Sequence, residues 1–543
     1  MGNAQTRSRS LNAYELRELA TSWSAAAESC VISLRRRCRR LPLLSLILLV
    51  TLAITLYAFS LHPGFTHFSI ANVATRISHT TSPCTNNRRP AAFQLHAIPF
   101  RSAIRTLVQA NSKPLNSTHA SSASFPPISI TPSLKLVTST VRSRYARLAR
   151  AYLSPFAALG KISSESYMRP FLRDDGRCGG CVLLQVTNRS MFLHDRRGVL
   201  TKMAPFRALR LREALHWVES SVSRGVVDNF EIIISTTDSV ATTSRNHSYR
   251  MPDPEEASPI FGTVACNVSN NIPFPLVLSD VLRRGLPHKF WDTRSEMIDQ
   301  WDQAMRSFGE EHAYSVPWHR KKAMAVFRGR IRISTFLKRR EMFDDFCDKV
   351  GRTALWATAR KHNARMKRWA VQKAKNGRIW PLPTNWFLPR VEQLLDVQVD
   401  GTCGKRIYVS DGMPLQKQAE YKYIMNVEGN SFWADRLLLL LFGSSAVMKQ
   451  ETPCGMFFEP LLEANVHYIP VDYWFRDLTK RTQWARRHDC DVMQIVRNAR
   501  RFAGEYLSTA GIQTYVDELL KQYSELLEER RIKVRPGSVQ VYP

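Results

Sequence analysis

Asp238 stands at the end of FEIIISTTD, an apolar strand-like run that closes on two threonines and a carboxylate. An α/β enzyme places reactive groups at the carboxyl ends of buried strands, and a carboxylate there can accept the proton of a hydroxyl. Capping of a turn is the alternative role for an aspartate in that position. Arg328 and Gly329 follow a short strand expected over residues 323–327. A guanidinium beside a glycine that lets backbone come close suits a diphosphate. A third candidate is the polar turn Glu428-Gly429-Asn430-Ser431, set between a strand-like run at 423–427 and a helical run at 437–442. Such a turn can face a phosphate at the amino end of a helix. The five leucines that follow it read as core.

These groups need elements to hold them. Residues 421–474 read as strand, glycine turn, helix and two further strands at 446–448 and 467–471, the unit of a parallel sheet. Upstream, helical periodicity begins at 141 and returns over 208–222, with strand-like runs at 181–187, 190–194 and 230–235. A strand or loop and then a helix are expected over 273–286, a helix over 291–308, and helical segments from 478 to 529. Residues 352–378 carry nine Lys or Arg and no acid, the pattern of a solvated helical insertion. Asp489-Cys490-Asp491 matches the Asp-x-Asp metal signature of sugar-nucleotide enzymes. It lies in a helical pattern, where side chains at i and i+2 do not face each other, so no metal site is read there. Cys178-Gly-Gly-Cys181 has no second CxxC, which favours a structural disulfide over zinc ligation.

The 543 residues are enough for two lobes and appendages, and a formal net charge of +31 points to anionic partners. The basic residues are spread along the chain and no nucleic-acid-binding motif is present, so nucleic acid is not the expected partner. Residues 41–59 form an uncharged apolar run of bilayer-spanning length, preceded by Arg35, Arg36, Arg37, Arg39 and Arg40. The positive-inside rule makes 1–40 a cytosolic tail and 41–61 a single-pass type II signal anchor, with the remainder lumenal. Residues 62–140, rich in Ser, Thr, Pro and Asn, read as a largely disordered stem. Sequons at Asn116, Asn188, Asn246 and Asn267, and eight of ten cysteines, fall after the anchor. Disulfide connectivity is not readable from the sequence.

In order along the chain, TTD after a strand, PWHRKKAMAVFRG, YKYIMNVEG, GSSAVMKQ and FFEPLLEANVHYIPV together resemble glycosyltransferase family 90. That group contains protein O-glucosyltransferases, O-xylosyltransferases and fungal capsule-associated xylosyltransferases. The resemblance covers about residues 141–529, including the tail QWARRHD…ARRFAGEYL…YVDELLKQYSELL. It implies an α/β fold of GT-B type, two Rossmann-like lobes around a central cleft, preceded by one transmembrane helix. The acceptor lobe, with the base, would be 141–316. The UDP-sugar lobe would be 317–543, with a basic insertion at 352–380 and terminal helices.

The activity implied is inverting transfer of glucose or xylose from UDP-glucose or UDP-xylose to a hydroxyl of a glycoprotein or glycan acceptor, with no metal cofactor. By position Asp238 matches the catalytic base. Arg328 and Gly329 fall on the motif that contacts the nucleotide diphosphate, with Ser334 beyond it, and Gly429, Asn430, Ser431 and Phe432 fall on the glycine turn. The family usually has an arginine six residues after that glycine; here Asp435 holds the place and Arg436 follows, so Arg436 is expected to make the diphosphate contact. A catalytically inactive lumenal member, acting as a sugar-binding or scaffold protein, is the alternative. The terminal VQVYP lacks a KDEL-type signal, which with the anchor favours the Golgi membrane over the endoplasmic reticulum.

Overall fold

The computed structural model describes residues 137–158, 160–164, 181–195, 198, 200, 202–238, 259–266, 271–285, 298–314, 316–332, 347–375, 393–429, 433–529 and 531–543. The expected membrane span at 41–61, nearly all of the stem, Cys178, Ser334, Asn430, Ser431 and Phe432 lie outside these residues. Among the described residues no helix is long and apolar enough to cross a membrane.

In chain order the elements begin with helix α1 (Ser139–Ala157), strands β1 (Cys181–Thr187) and β2 (Ser190–His194), helix α2 (Pro205–Ser223) and strand β3 (Phe230–Ser235). Strands β4 (Ile260–Gly262), β5 (Ala265–Cys266) and β6 (Asn271–Pro273) follow, then helices α3 (Leu278–Gly285) and α4 (Trp301–Tyr314). Next come β7 (Lys322–Arg330), α5 (Gly351–Lys375), β8 (Leu395–Cys403), β9 (Arg406–Tyr408), β10 (Tyr421–Asn426), α6 (Leu437–Phe442), β11 (Ala446–Gln450), β12 (Cys454–Gly455) and β13 (Ile469–Val471). Helices α7 (Leu478–Arg487), α8 (Asp489–Tyr506) and α9 (Thr509–Leu526) and strand β14 (Val539–Tyr542) complete the chain.

Two six-stranded sheets organise it. The first has the order β14-β2-β1-β3-β4-β6 and the second β13-β11-β10-β7-β8-β9. In the first, β3, β4 and β6 run parallel and the remaining pairs are antiparallel. In the second, β13, β11, β10, β7 and β8 are all parallel, and β9 turns back on β8. Strands of parallel sheets are covered on both faces, hence the apolar runs at 232–234 in β3 and 423–425 in β10. Helix α6 is buried at every position, which a helix needs to be when it carries leucine on all sides. Residues 317–543 do not all stay with the second sheet. α9 packs on α1 and α2, and β14 pairs with β2 at the edge of the first.

The tight link between β1 and β2 is made by Asn188 and Arg189, with φ of 49° and 66°. Two successive positive φ values give the turn type that fits the twist of a hairpin. This holds the sequon residue Asn188 in the open. A separate two-stranded antiparallel sheet, β5 with β12, carries the disulfide Cys266–Cys454, which ties the segment between β4 and β6 to the one that follows β11. A second disulfide joins Cys347 to Cys403. Cys181 and Cys490 are also disulfide-bonded.

The basic segment beginning at 352 is helical, as expected, but its first turn is not solvated. Arg352, Thr353, Ala354 and Leu355 are buried, because α5 packs against β8. The strand expected to stop at 327 continues to Arg330, because Arg328, Gly329 and Arg330 pair in register with Gln398, Val399 and Asp400 of β8.

Candidate active site

The first part of the site is built at the end of β3. Arg210, on α2, is buried at 2% exposure and reaches three acceptors. Its Nη2 donates to Asp238 Oδ1 at 2.6 Å, its Nη1 to the Thr236 carbonyl at 3.1 Å, and its Nε to Asp280 Oδ2 at 3.2 Å. The guanidinium thus fixes Oδ1 of Asp238, whose side chain is about one third exposed, just beyond the carboxyl end of β3. Asp280 lies in the first turn of α3. That turn is held by Glu213, one helical turn after Arg210, whose oxygens accept the Leu278 and Ser279 N–H groups at 2.9 and 3.0 Å. Burial pushes the Glu213 acid up to about 8 against the effect of those two donors.

Arg210→Ala removes the buried guanidinium that lies 3.2 Å from the buried Asp280 carboxylate. It is expected to destabilise the fold by about 3 kcal/mol, the lower end of the range for breaking a buried ion pair, as read by denaturant unfolding.

The second part lies at the ends of β7 and β10. A β-carbon on Gly329 would stand 3.1 Å from the Phe327 ring and 3.3 Å from Arg436 Nη2, so this face of β7 is where the backbone opens to the Arg436 guanidinium. Arg436 Nη1 donates to the Arg328 carbonyl at 3.2 Å, and its guanidinium lies 5.0 Å from the centre of the Phe327 ring. Arg352 lies over the same ring at 5.6 Å. It donates to the carbonyls of Glu428 at 3.0 Å and Arg330 at 2.8 Å. Burial, then repulsion from Arg436, pushes Arg352 down to about 9, with Asp435 acting in the opposite direction. Burial lowers Arg436 likewise. Two guanidiniums around one aromatic ring form a cationic cluster that favours an anion.

Arg328 is elsewhere. Side chains alternate along a strand, and Phe327 with Gly329 occupies the face toward Arg436. The Arg328 guanidinium lies on the opposite face. It donates to Asp396 Oδ1 at 2.8 Å, to the Asp396 and Phe327 carbonyls at 3.0 Å and to Asp411 Oδ1 at 3.2 Å. The Tyr421 hydroxyl donates to the other oxygen of Asp396. Of the arginines considered for a diphosphate, the structure brings Arg436 to Gly329 and puts Arg328 into an ion-pair network. The extended strand is the reason.

One contact joins the two parts. Trp433 Nε1 donates to the Asp238 carbonyl at 3.0 Å, while the Trp433 carbonyl accepts the Gly429 N–H at 2.7 Å. A β-carbon on Gly429 would stand 3.1 Å from that carbonyl, which ties glycine to the position. Asp238, Gly329, Gly429 and Arg436 are therefore brought together. Ser334, Asn430, Ser431 and Phe432 lie outside the described residues. Arg210, Arg352 and Trp433 were not legible beforehand: nothing in the sequence separates Arg352 from the eight other basic residues of its segment, or Arg210 from other helix positions.

The Asp-x-Asp sequence opens α8. Asp489 accepts from Trp318 Nε1 at 2.9 Å and from Lys422 Nζ at 2.6 Å. Among the described residues no group of three or more His, Cys, Asp or Glu side chains comes together as a metal site.

A family model described as glycosyl transferase family 90 matches residues 184–543. Protein O-glucosyltransferase 2 of Danio rerio is 36% identical over 118 residues, 22% of this chain and 23% of the relative. Protein O-glucosyltransferase 3 of Homo sapiens is 30% identical over 118 residues, 22% of this chain and 23% of the relative. O-glucosyltransferase rumi of Drosophila melanogaster is 25% identical over 247 residues, 45% of this chain and 50% of the relative. The matched part thus spans between about a quarter and a half of the length of these relatives.

Proposed function

The chain belongs to glycosyltransferase family 90, and from that premise we propose that it moves glucose or xylose from a UDP-sugar to an acceptor hydroxyl with inversion. The observation that carries this reading is the hydrogen bond from Trp433 to the Asp238 carbonyl. It sets a carboxylate at the end of β3 beside a glycine turn whose neighbours include two guanidiniums. The names of these three relatives, each an O-glucosyltransferase, support the reaction class.

In this reading Arg436 and Arg352 hold the diphosphate, and Gly329 and Gly429 let backbone approach it. The acceptor oxygen forms a bond to the anomeric carbon as the bond from that carbon to UDP breaks. UDP leaves with the bonding electron pair and Asp238 takes the acceptor's proton. One displacement at one carbon inverts its configuration. Arginine charge, fixed in place before the reaction, stabilises the leaving diphosphate, so no metal is part of the reading.

A two-lobed GT-B arrangement belongs to the same proposal. Its support is the pair of sheets, with Asp238 at the end of a strand of one and Arg436 beside a strand end of the other. So does a Golgi-membrane location with the catalytic part lumenal, supported by the apolar run at 41–59 behind five arginines. Cys266–Cys454 and Cys347–Cys403 support it too, since disulfides persist in the secretory pathway. The acceptor would be a glycoprotein, glycolipid or polysaccharide hydroxyl.

Glucose and xylose differ by one hydroxymethyl group, which a few pocket contacts can select. A screen of UDP-glucose, UDP-xylose and UDP-galactose, reading UDP release from the purified chain, is expected to give release from one of the first two and not the third. Absence of UDP release from any of them, together with absence of UDP binding, would leave the inactive-scaffold reading in its place.

A further inference from the structure

Glu428 is the residue just before Gly429, and it is 2% exposed. Its backbone N–H donates to Gln450 Oε1 at 3.0 Å, and the Tyr473 hydroxyl donates to its Oε1 at 3.1 Å. Its Oε2 has no hydrogen-bond partner among the described residues. Buried polar atoms are nearly always paired, so an unpaired carboxyl oxygen beside a candidate site calls for a ligand. The first turn of α5 comes close to this carboxyl: a β-carbon on Gly351, whose φ is +53°, would stand 3.2 Å from Oε1. The groups facing the carboxyl are Tyr473, from the loop after β13, and Arg352, from α5. Around Arg352 stand Arg436 and Asp435, from the segment after the glycine turn, and Arg332. Strand β11 contributes the uncharged Gln450.

We propose that Glu428 is a binding residue of the donor site, presenting Oε2 as a hydrogen-bond donor to an oxygen of the bound nucleotide diphosphate. The inference rests on the donor-site reading above. Electrostatics decides the protonation state. An ionised carboxylate next to a diphosphate held by Arg352 and Arg436 would be repelled, whereas the neutral acid donates to it. Burial already pushes this acid up to about 8, against the opposing effects of Tyr473 and Arg352. A bound dianion pushes it further in the same direction. Below about 8 the carboxyl carries its proton with or without nucleotide. Above that value the free protein has lost the proton and binding must restore it, so affinity falls as pH rises.

The experiment is calorimetry of UDP binding to the full chain at about pH 7 and about pH 9, each in two buffers of different ionisation enthalpy. The wild type is expected to take up a proton at the higher pH and to bind UDP roughly tenfold more weakly there. Glu428→Gln, whose amide donates at either pH, is expected to bind within about threefold of wild type at the lower pH and to lose the uptake. Glu428→Ala is expected to bind roughly tenfold more weakly at the lower pH, with thermal unfolding reporting that each variant is folded. Titration of the nucleotide is common to wild type and Glu428→Gln and drops out of their difference. Equal proton uptake by these two proteins would overturn the role of Glu428 while leaving the donor site standing. Failure of the wild type to bind UDP would overturn the donor-site reading itself, and this inference with it.

Discussion

Asp238→Asn is expected to slow sugar transfer by about 10²–10⁴-fold, the range for loss of a general base, while UDP binding stays within about threefold of wild type. The two halves of that expectation have separate causes. The asparagine carbonyl can still accept from Arg210 Nη2, which now lies 2.6 Å from Asp238 Oδ1, so the end of β3 keeps its shape. The hydrogen bond from Trp433 goes to the backbone carbonyl at 238 and does not depend on the side chain. Arg436 and Arg352 are untouched. What is lost is a site for the acceptor's proton, since an amide oxygen is not a useful base near neutral pH. Transfer is measured as UDP release in the presence of acceptor and binding by calorimetry on the same preparation. Near-wild-type turnover would remove Asp238 from the reaction. A parallel fall in UDP affinity would mean that the residue belongs to the donor site instead.

The fold was legible where local chemistry and packing agree. Helix α6 falls at 437–442 as its leucines and the Gly443 stop dictate, and β1, β2 and β3 fall on their apolar runs. Those signals are local, and every neighbour in the sheet reinforces them. Strand β7 shows where local reading fails. Its apolar residues end at Phe327, yet pairing with β8 carries it to Arg330, and that pairing is set by residues about seventy positions downstream. The three added residues change where one of them points. An arginine at a loop start could turn toward a ligand, but Arg328 inside the strand is committed to one face by alternation. Strand β14 is a similar case, because VQVY gains an ordered partner only when the chain end returns to β2. Arg210 was hidden for a different reason. Its helix reads as amphipathic, and a buried arginine on the apolar face is visible only once Asp238 and Asp280 arrive from elsewhere.

The separation of Arg328 from Arg436 gives the second large expectation. Arg436→Ala should weaken UDP binding roughly ten- to a hundredfold, the range for losing hydrogen bonds to a charged group. It should alter stability little, because among the described residues the Arg436 guanidinium donates to one backbone carbonyl, lies over Phe327 and interacts with the charge of its neighbour Asp435. Removing it also relieves the repulsion felt by Arg352. Arg328→Ala should do the reverse. It strips Asp396, whose side chain is 19% exposed, of its guanidinium partner, and it opens the β7–β8 pairing from which that guanidinium reaches two carbonyls. The fold is expected to lose about 3 kcal/mol, as for a broken buried pair, most of it from Asp396 because the Asp411 partner is largely exposed and screened. UDP affinity of the folded Arg328→Ala protein, measured well below its unfolding temperature, is expected to match wild type. A loss of affinity in Arg328→Ala with unchanged stability, beside wild-type binding in Arg436→Ala, would return the diphosphate to Arg328 and require β7 to end at Phe327 when nucleotide is bound.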